Sequence, residues 1–259
     1  MKPVLNISAY LFVSLNDTAA LRESIRSQAA TRGLRGTVIL ATEGINLFLA
    51  GGHESVRGFL QWLRGDARFE SLAAKESESD SVPFARLLVK VKPEIIRMNH
   101  PTIRPQHAPA HAPAQAPANA RAPALAAATL ARWLDAGHDD AGRPVVMLDT
   151  RNAFEVGHGH FEHAVDWNIA RFSDFPAAAL AHRAALEGST VVTYCTGGIR
   201  CEKAALFMSE AGIADVWQLD GGILQYFETV GARHFVGDCF VFDARETVDA
   251  TLQALPAAL

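Results

Sequence analysis

The sequence predicts an α+β domain followed by an α/β domain built on a doubly wound parallel sheet. Three observations predict it. Residues 1–98 show strand and helix patterns in the order β-α-β-β-α-β. Residues 125–232 alternate short apolar runs with helical patterns, the signature of a parallel sheet. Between them, Asn99–Pro123 holds six of the twelve prolines, so 99–124 reads as a linker. Residues 233–259 are left as a C-terminal extension.

In the N-terminal part, Asn6–Val13 is apolar and rich in strand formers. Asp17 or Thr18 caps a helix that runs through Arg32 with Leu21 and Ile25 on one face. Arg35–Ala41 predicts a strand, Glu43-Gly44 a turn and Ile45–Ala50 the returning strand, closed by Gly51-Gly52. His53–Leu63 places Val56, Phe59, Leu60 and Leu63 at helical spacing, and Phe84–Lys92 predicts the last strand. The order is that of a ferredoxin-like (βαββαβ) platform, a fold that fixes no function. Glu43-Gly44-Ile45-Asn46 reads as a tight turn, in which Gly44 permits a positive φ, or as a loop whose Glu and Asn bond a ligand. Arg86, Lys90 and Lys92 share one strand face with Leu88. That row suits a phosphate backbone or an ordinary solvated edge.

The linker should be extended and semi-rigid, because proline removes amide donors and disfavours helix in the preceding residue. Its histidines, His100, His107 and His111, form either a metal tract or a solvated set; no other ligand type lies near them, which favours the second.

The linker also separates charge. The whole chain carries a net −4, which argues against nucleic acid if evenly spread. Residues 1–104, however, hold 14 Lys+Arg against 10 Asp+Glu, a net +4, and the rest a net −8. A basic N-terminal half admits a phosphate-bearing partner. Of 259 residues 49% are hydrophobic and 20% charged, which excludes a disordered or fibrous chain. Three cysteines are too few for a disulfide scaffold and fit a reducing compartment. No signal peptide is visible and no run reaches the ~18 apolar residues of a membrane helix. The expectation is a cytoplasmic protein that engages neither membrane nor DNA.

In the C-terminal part, Leu125–Asp135 predicts a helix, Val145–Asp149 a buried strand, Val165–Ile169 a further strand and Pro176–Leu186 a helix. Thr190–Tyr194 is a β-branched strand, Cys201–Ala211 a helix, Val216–Leu219 a strand and Gly222–Val230 a helix. Sites in such sheets lie at the carboxyl ends of strands. There stands Tyr194-Cys195-Thr196-Gly197-Gly198-Ile199-Arg200-Cys201. A strand–loop–helix turns several amides onto one spot, and the helix N-terminus adds positive potential. The first anion it can hold is the Cys195 thiolate, with Arg200 as a permanent counter-charge. The spacing is C-x4-R. Cysteine phosphatases use C-x5-R, a ring sized for phosphate; the shorter ring suits one extra sulfur atom on the thiolate. Cys201 either resolves an oxidised Cys195 as a disulfide or packs beneath the loop. Cys239 reads as structural.

The loop Cys195–Arg200, Asp149-Thr150-Arg151 and the Gly221-Gly222 turn resemble a rhodanese domain over about residues 125–230. That resemblance implies a persulfide on Cys195, Asp149 and Arg151 supporting the site, and sulfurtransferase-like chemistry. A narrower resemblance spans nearly the whole chain. Asn6–Tyr10, Gly36–Ala41, Glu43–Asn46, CTGGIRCEKA from Cys195, Leu219–Ile223 and Cys239–Arg245 follow in order. The chain is similar to the bacterial tRNA uridine 5-hydroxylase family, whose hairpin commonly reads EGINGT where this chain has Leu47-Phe48 after Asn46. The family implies conversion of the wobble uridine, position 34, to 5-hydroxyuridine with molecular oxygen as co-substrate, and dependence on Cys195. A sulfurtransferase carrying a persulfide on Cys195 is the alternative.

Thr196, Gly197, Gly198 and Ile199 complete the active-site loop. No cofactor is evident: no G-x-G-x-x-G follows a strand. His158, His160 and His163 with Glu155 and Glu162 could form a facial iron site, although Gly157 and Gly159 break the segment. The partner the resemblance implies is the anticodon loop of a tRNA, whose single-stranded bases can be splayed out and stacked. Candidate RNA contacts are Arg35, Arg86, Lys90, Lys92 and Arg171.

Overall fold

The computed structural model describes residues 3–108 and 121–254. The chain divides into two units, one from the N-terminus to Arg97 joined by Phe242–Glu246 and the residues from Leu252, the other Met98–Val241 with Thr247–Thr251.

The first unit has β1 (Val4–Phe12), α1 (Thr18–Thr31), β2 (Arg35–Ala41), β3 (Gly44–Gly51), α2 (His53–Arg64), β4 (Ala74–Ser79) and β5 (Leu87–Val91). The sheet order is β4-β1-β3-β2-β5. Strand alternation sends Leu5, Ile7 and Ala9, Val38 and Leu40, and Ile45, Leu47 and Leu49 to one face. Leu21, Ile25 and Ala29 of α1 and Val56, Phe59, Leu60 and Leu63 of α2 close the core there. The first four strands make the ferredoxin-like sheet, so the strand expected over Phe84–Lys92 is not its fourth. The fourth is β4, AKESES, which the sequence reading passed over, and β5 is an added edge strand lying parallel to β2. Asp17 also differs from expectation. Its carboxylate makes no cap bond but accepts from Arg68, Nη1 at 2.5 Å and Nη2 at 3.2 Å.

The Glu43–Asn46 turn has a structural task. The Glu43 carboxylate accepts the Ile95 N–H at 2.7 Å, and the Asn46 amide donates to the Ile95 carbonyl at 3.2 Å. Both polar ends thus hold one residue of the chain leaving β5. Gly44 is required here: at φ +149°, a Cβ would lie 2.1 Å from the Leu11 carbonyl oxygen.

The second unit has β6 (Ala124–Leu125), α3 (Ala127–Ala136), β7 (Val145–Asp149), α4 (Ala153–Val156), β8 (Gly159–Phe161), α5 (Phe175–His182), β9 (Thr190–Tyr194), α6 (Ile199–Glu210), β10 (Val216–Leu219) and α7 (Gly222–Val230). After them come β11 (Phe235–Gly237), β12 (Cys239–Phe240) and β13 (Thr247–Val248). The central sheet runs β6-β10-β9-β7, with every pairing parallel. The strand expected at Val165–Ile169 shrinks to a single bridge from Val165 to Leu148.

The linker departs from the extended form at both ends. Ala124 already belongs to β6, and Pro105–His107 make a 3-10 turn with Ile103 and Pro105 buried beside it. The His100 ring packs edge-on against Phe207 at 5.0 Å, and its Nδ1 lies 3.1 Å from the Thr102 hydroxyl. His111 and the Ala-Pro repeat over 109–120 lie outside the described residues. Among the described residues, no helix is long and apolar enough to cross a membrane.

Candidate active site

β9 ends at Tyr194 on the carboxyl edge of the parallel sheet, and Cys195 is the next residue. Gly198 takes the left-handed conformation, φ 101°, which turns its N–H onto the Cys195 sulfur at 3.1 Å and starts α6. The Cys195 side chain is fully buried. Burial alone would raise its pKa. The hydrogen bond from the Cys201 thiol, the Arg200 charge and the amides of Arg200 and Gly198 outweigh it and hold the thiol well below its usual range. Cys201 moves the opposite way, raised by burial and by the Cys195 bond and charge. Of the two neighbouring thiols, Cys195 is thus the one held down and Cys201 the one held up. The Thr150 hydroxyl lies 3.7 Å from the Cys201 sulfur and donates to the Tyr194 carbonyl at 2.9 Å.

Arg200 closes the loop from the first turn of α6. Its two terminal nitrogens grip the Glu155 carboxylate at 2.5 and 2.8 Å, and both side chains are buried. Glu155 Oε1 also accepts the Asn152 N–H at 3.1 Å, which fixes the start of α4. Glu155 is thus the charge partner of the loop arginine, a role the sequence reading missed by grouping it with the histidines. The N-x-x-E spacing from Asn152 was the available signal.

Asp149 and Arg151 lie beneath the loop. Arg151 donates to Asp149 through Nε at 3.0 Å and Nη2 at 2.6 Å, and Nη2 also reaches the Gly159 carbonyl at 2.6 Å. Its guanidinium sits 5.7 Å from the Tyr194 ring centroid, with the whole group buried. Arg151 thereby ties β7, β8 and β9 together just under Cys195.

A second helix end pins the loop from above. The amides of Ile223 and Leu224 donate to the carbonyls of Cys195 and Thr196 at 2.9 and 3.1 Å. Gly222 makes this approach possible: a Cβ there would stand 2.4 Å from the Cys195 carbonyl oxygen. The Thr196 hydroxyl donates to the Phe240 carbonyl at 3.3 Å, so β12 also borders the loop. Cys239 is buried, and burial pushes its thiol up to about 12.

The residues of the histidine cluster make other contacts. Glu155 is taken by Arg200, the His158 ring lies against Phe240 at 5.4 Å, and His160 Nδ1 lies 3.0 Å from the Phe161 carbonyl. His163 holds φ 58° in an exposed turn. Among the described residues, no group of three or more His, Cys, Asp or Glu is placed to hold a metal ion. The reason is long-range pairing: β8 carries His160 into a ladder with β11, with Val236 opposite.

Of the candidate RNA contacts, Arg35 and the Arg86–Lys92 row lie on neighbouring strands, since Gly36 pairs with Leu87 and Ile39 with Lys90. Leu87 and Val89 pack on the core, so Lys90 and Lys92 are on the other face, and both are exposed. Arg171 is exposed in the second unit, before the 3-10 turn Phe172–Asp174.

Residues 4–95 match the UPF0176 acylphosphatase like domain, and residues 127–229 match the Rhodanese-like domain. The chain is 58% identical to the tRNA uridine(34) hydroxylase of Bordetella petrii, over 97% of this chain and 95% of that one. It is 56% identical to the protein of that name from Cupriavidus taiwanensis, over 96% of this chain and 84% of that one. The chain belongs to the tRNA uridine(34) hydroxylase family. Among solved structures, a rhodanese-like domain from Anabaena is similar at 21% identity and a TM-score of 0.36, covering 44% of this chain and 79% of that one. In this member of the family, Asp149 pairs with Tyr194, the residue before the loop Cys195–Arg200. Geometry adds Glu155 as the partner of Arg200 and gives Gly222 and Phe240 their contacts with the loop.

Proposed function

We propose that this chain hydroxylates C5 of uridine 34 in tRNA, with molecular oxygen as co-substrate and Cys195 as the reacting group. One observation carries the reading. The site of a chain 58% identical over 97% of its length to a tRNA uridine(34) hydroxylase holds a loop cysteine whose sulfur accepts the Gly198 N–H at 3.1 Å. In a uracil ring C6 is the electrophilic carbon. A thiolate that adds there opens the C5–C6 double bond and gives C5 nucleophilic character, and loss of the C5 proton with departure of the thiolate restores the double bond. Arg200, the Gly198 and Arg200 amides and the start of α6 stabilise the negative charge before it moves onto the base. Asp149, Arg151 and Cys201 position the loop, and Thr196, Gly197 and Ile199 form its wall.

The anticodon loop presents its bases unpaired, so one base can leave the stack without melting a helix. Arg35, Arg86, Lys90 and Lys92 hold the phosphate backbone on the first unit, and Arg171 contributes on the second. The protein works in the cytoplasm, where tRNA is found and thiols stay reduced.

The test is mass spectrometry of tRNA nucleosides from a deletion strain complemented with wild type or Cys195→Ser. Wild type restores 5-hydroxyuridine derivatives and Cys195→Ser does not. Unchanged nucleosides in the deletion strain sink the reading. A thiosulfate-dependent sulfur transfer to cyanide, with tRNA unaffected, supports the sulfurtransferase instead.

A further inference from the structure

Phe154 leaves a large apolar ring 52% exposed beside a buried catalytic loop. Its direction follows from its neighbour. Glu155 turns inward to Arg200, and consecutive helical residues point about 100° apart, so Phe154 faces out. Its ring meets Phe240 edge to face, with centroids 5.1 Å apart at 88°. The exposed His158 ring lies 5.4 Å from Phe240, inclined at 35°. These three rings form one cluster, tied to both ends of the Cys195 loop. Next to Phe154, Glu155 binds Arg200 at the end of the loop, and the Phe240 carbonyl takes the Thr196 hydroxyl at its start.

We propose that Phe154, backed by Phe240 and His158, is the surface on which the pyrimidine ring of the RNA substrate stacks as it approaches Cys195. The inference rests on the tRNA reading above and adds to it the site that takes the base. The chemistry of the cluster favours a nucleobase. Single-stranded bases stack on aromatic side chains, and every base offers a flat π-face. A phenyl ring asks for no hydrogen bond, so the polar edge of the base stays available to the loop.

The test uses full-length protein and two anticodon stem-loop RNAs, one with uridine at position 34 and one abasic there. Wild type binds the uridine RNA more tightly. Phe154→Ala and Phe154→Leu each weaken that binding on the order of tenfold, whereas Phe154→Tyr keeps it within about twofold. The abasic RNA binds wild type and Phe154→Ala alike. Thermal midpoints within about 2 °C of wild type show that the fold is intact, as expected for an exposed side chain. Equal binding of the uridine RNA by Phe154→Ala and wild type overturns the stacking site while leaving the tRNA reading standing. A Phe154→Ala penalty that persists on the abasic RNA overturns it too, in favour of a contact elsewhere. Failure of wild type to bind either RNA overturns both.

Discussion

Arg200 and Glu155 form a two-bond ion pair, 2.5 and 2.8 Å long, with side chains 5% and 0% exposed. The loop arginine is therefore committed to a carboxylate before any substrate arrives. It acts as a fixed counter-charge beside Cys195 rather than as a swinging hook. Removing one partner of such a pair strands the other charge in a dry site. Glu155→Ala should destabilise the protein by about 3 kcal/mol or more, seen as a lower urea midpoint. Glu155→Gln keeps the shape and one acceptor and should cost less. A midpoint for Glu155→Ala within error of wild type would refute the role.

The acid limb of kcat/KM should lie well below the ordinary thiol value, because the Cys195 thiolate is stabilised in the fold. Cys201→Ala removes the thiol proton donor and should move that limb to higher pH; Cys201→Ser keeps a donor and should move it less. The same shift affects stability. The folded pKa is lowered, so the thiolate's contribution is complete above the unfolded value of ~8.5 and is lost as pH falls through the folded one. Cys195→Ser should then cost more stability at about pH 9 than at about pH 6. An equal cost at both would count against an ionised thiol.

Gly222→Ala should be more damaging than its single methyl suggests. The added carbon would meet two carbonyl oxygens, of Cys195 at 2.4 Å and Thr196 at 2.8 Å, on a backbone at φ +67°. Backbone cannot give way as a side chain tip does. A loss above about 2 kcal/mol is expected, together with loss of 5-hydroxyuridine formation. Full activity in this variant would show that the loop does not need the α7 amides.

Lys90→Glu with Lys92→Glu should weaken tRNA binding and flatten its salt dependence, by about one unit of slope per lost phosphate contact. Both residues are exposed on an edge strand, so thermal stability should hardly change. Binding that matches wild type at every salt concentration removes the row from the RNA footprint.

What sequence made legible was local. The order strand, Cys195, two glycines, helix is written in one continuous stretch, so the thiolate cradle could be read from it. β4 could not, because AKESES alternates serines with charged residues and has only Ala74 to give the core. It is a strand because β1 pairs with it, Asn6 opposite Ser77, and Asn6 donates to the Ser79 hydroxyl at 2.9 Å. The surroundings of the histidines were hidden for the same reason. His158 and His160 are set by β11, a segment about 75 residues further on, which no local pattern announces. Glu155 likewise finds its purpose 45 positions away.

Those distant partners also impose an order in time. The carbonyl that receives Thr196 belongs to Phe240, and β11 is synthesised well after Cys195 has left the ribosome's catalytic centre. Until residue 240 is added, a growing chain lacks the carbonyl that takes the Thr196 hydroxyl.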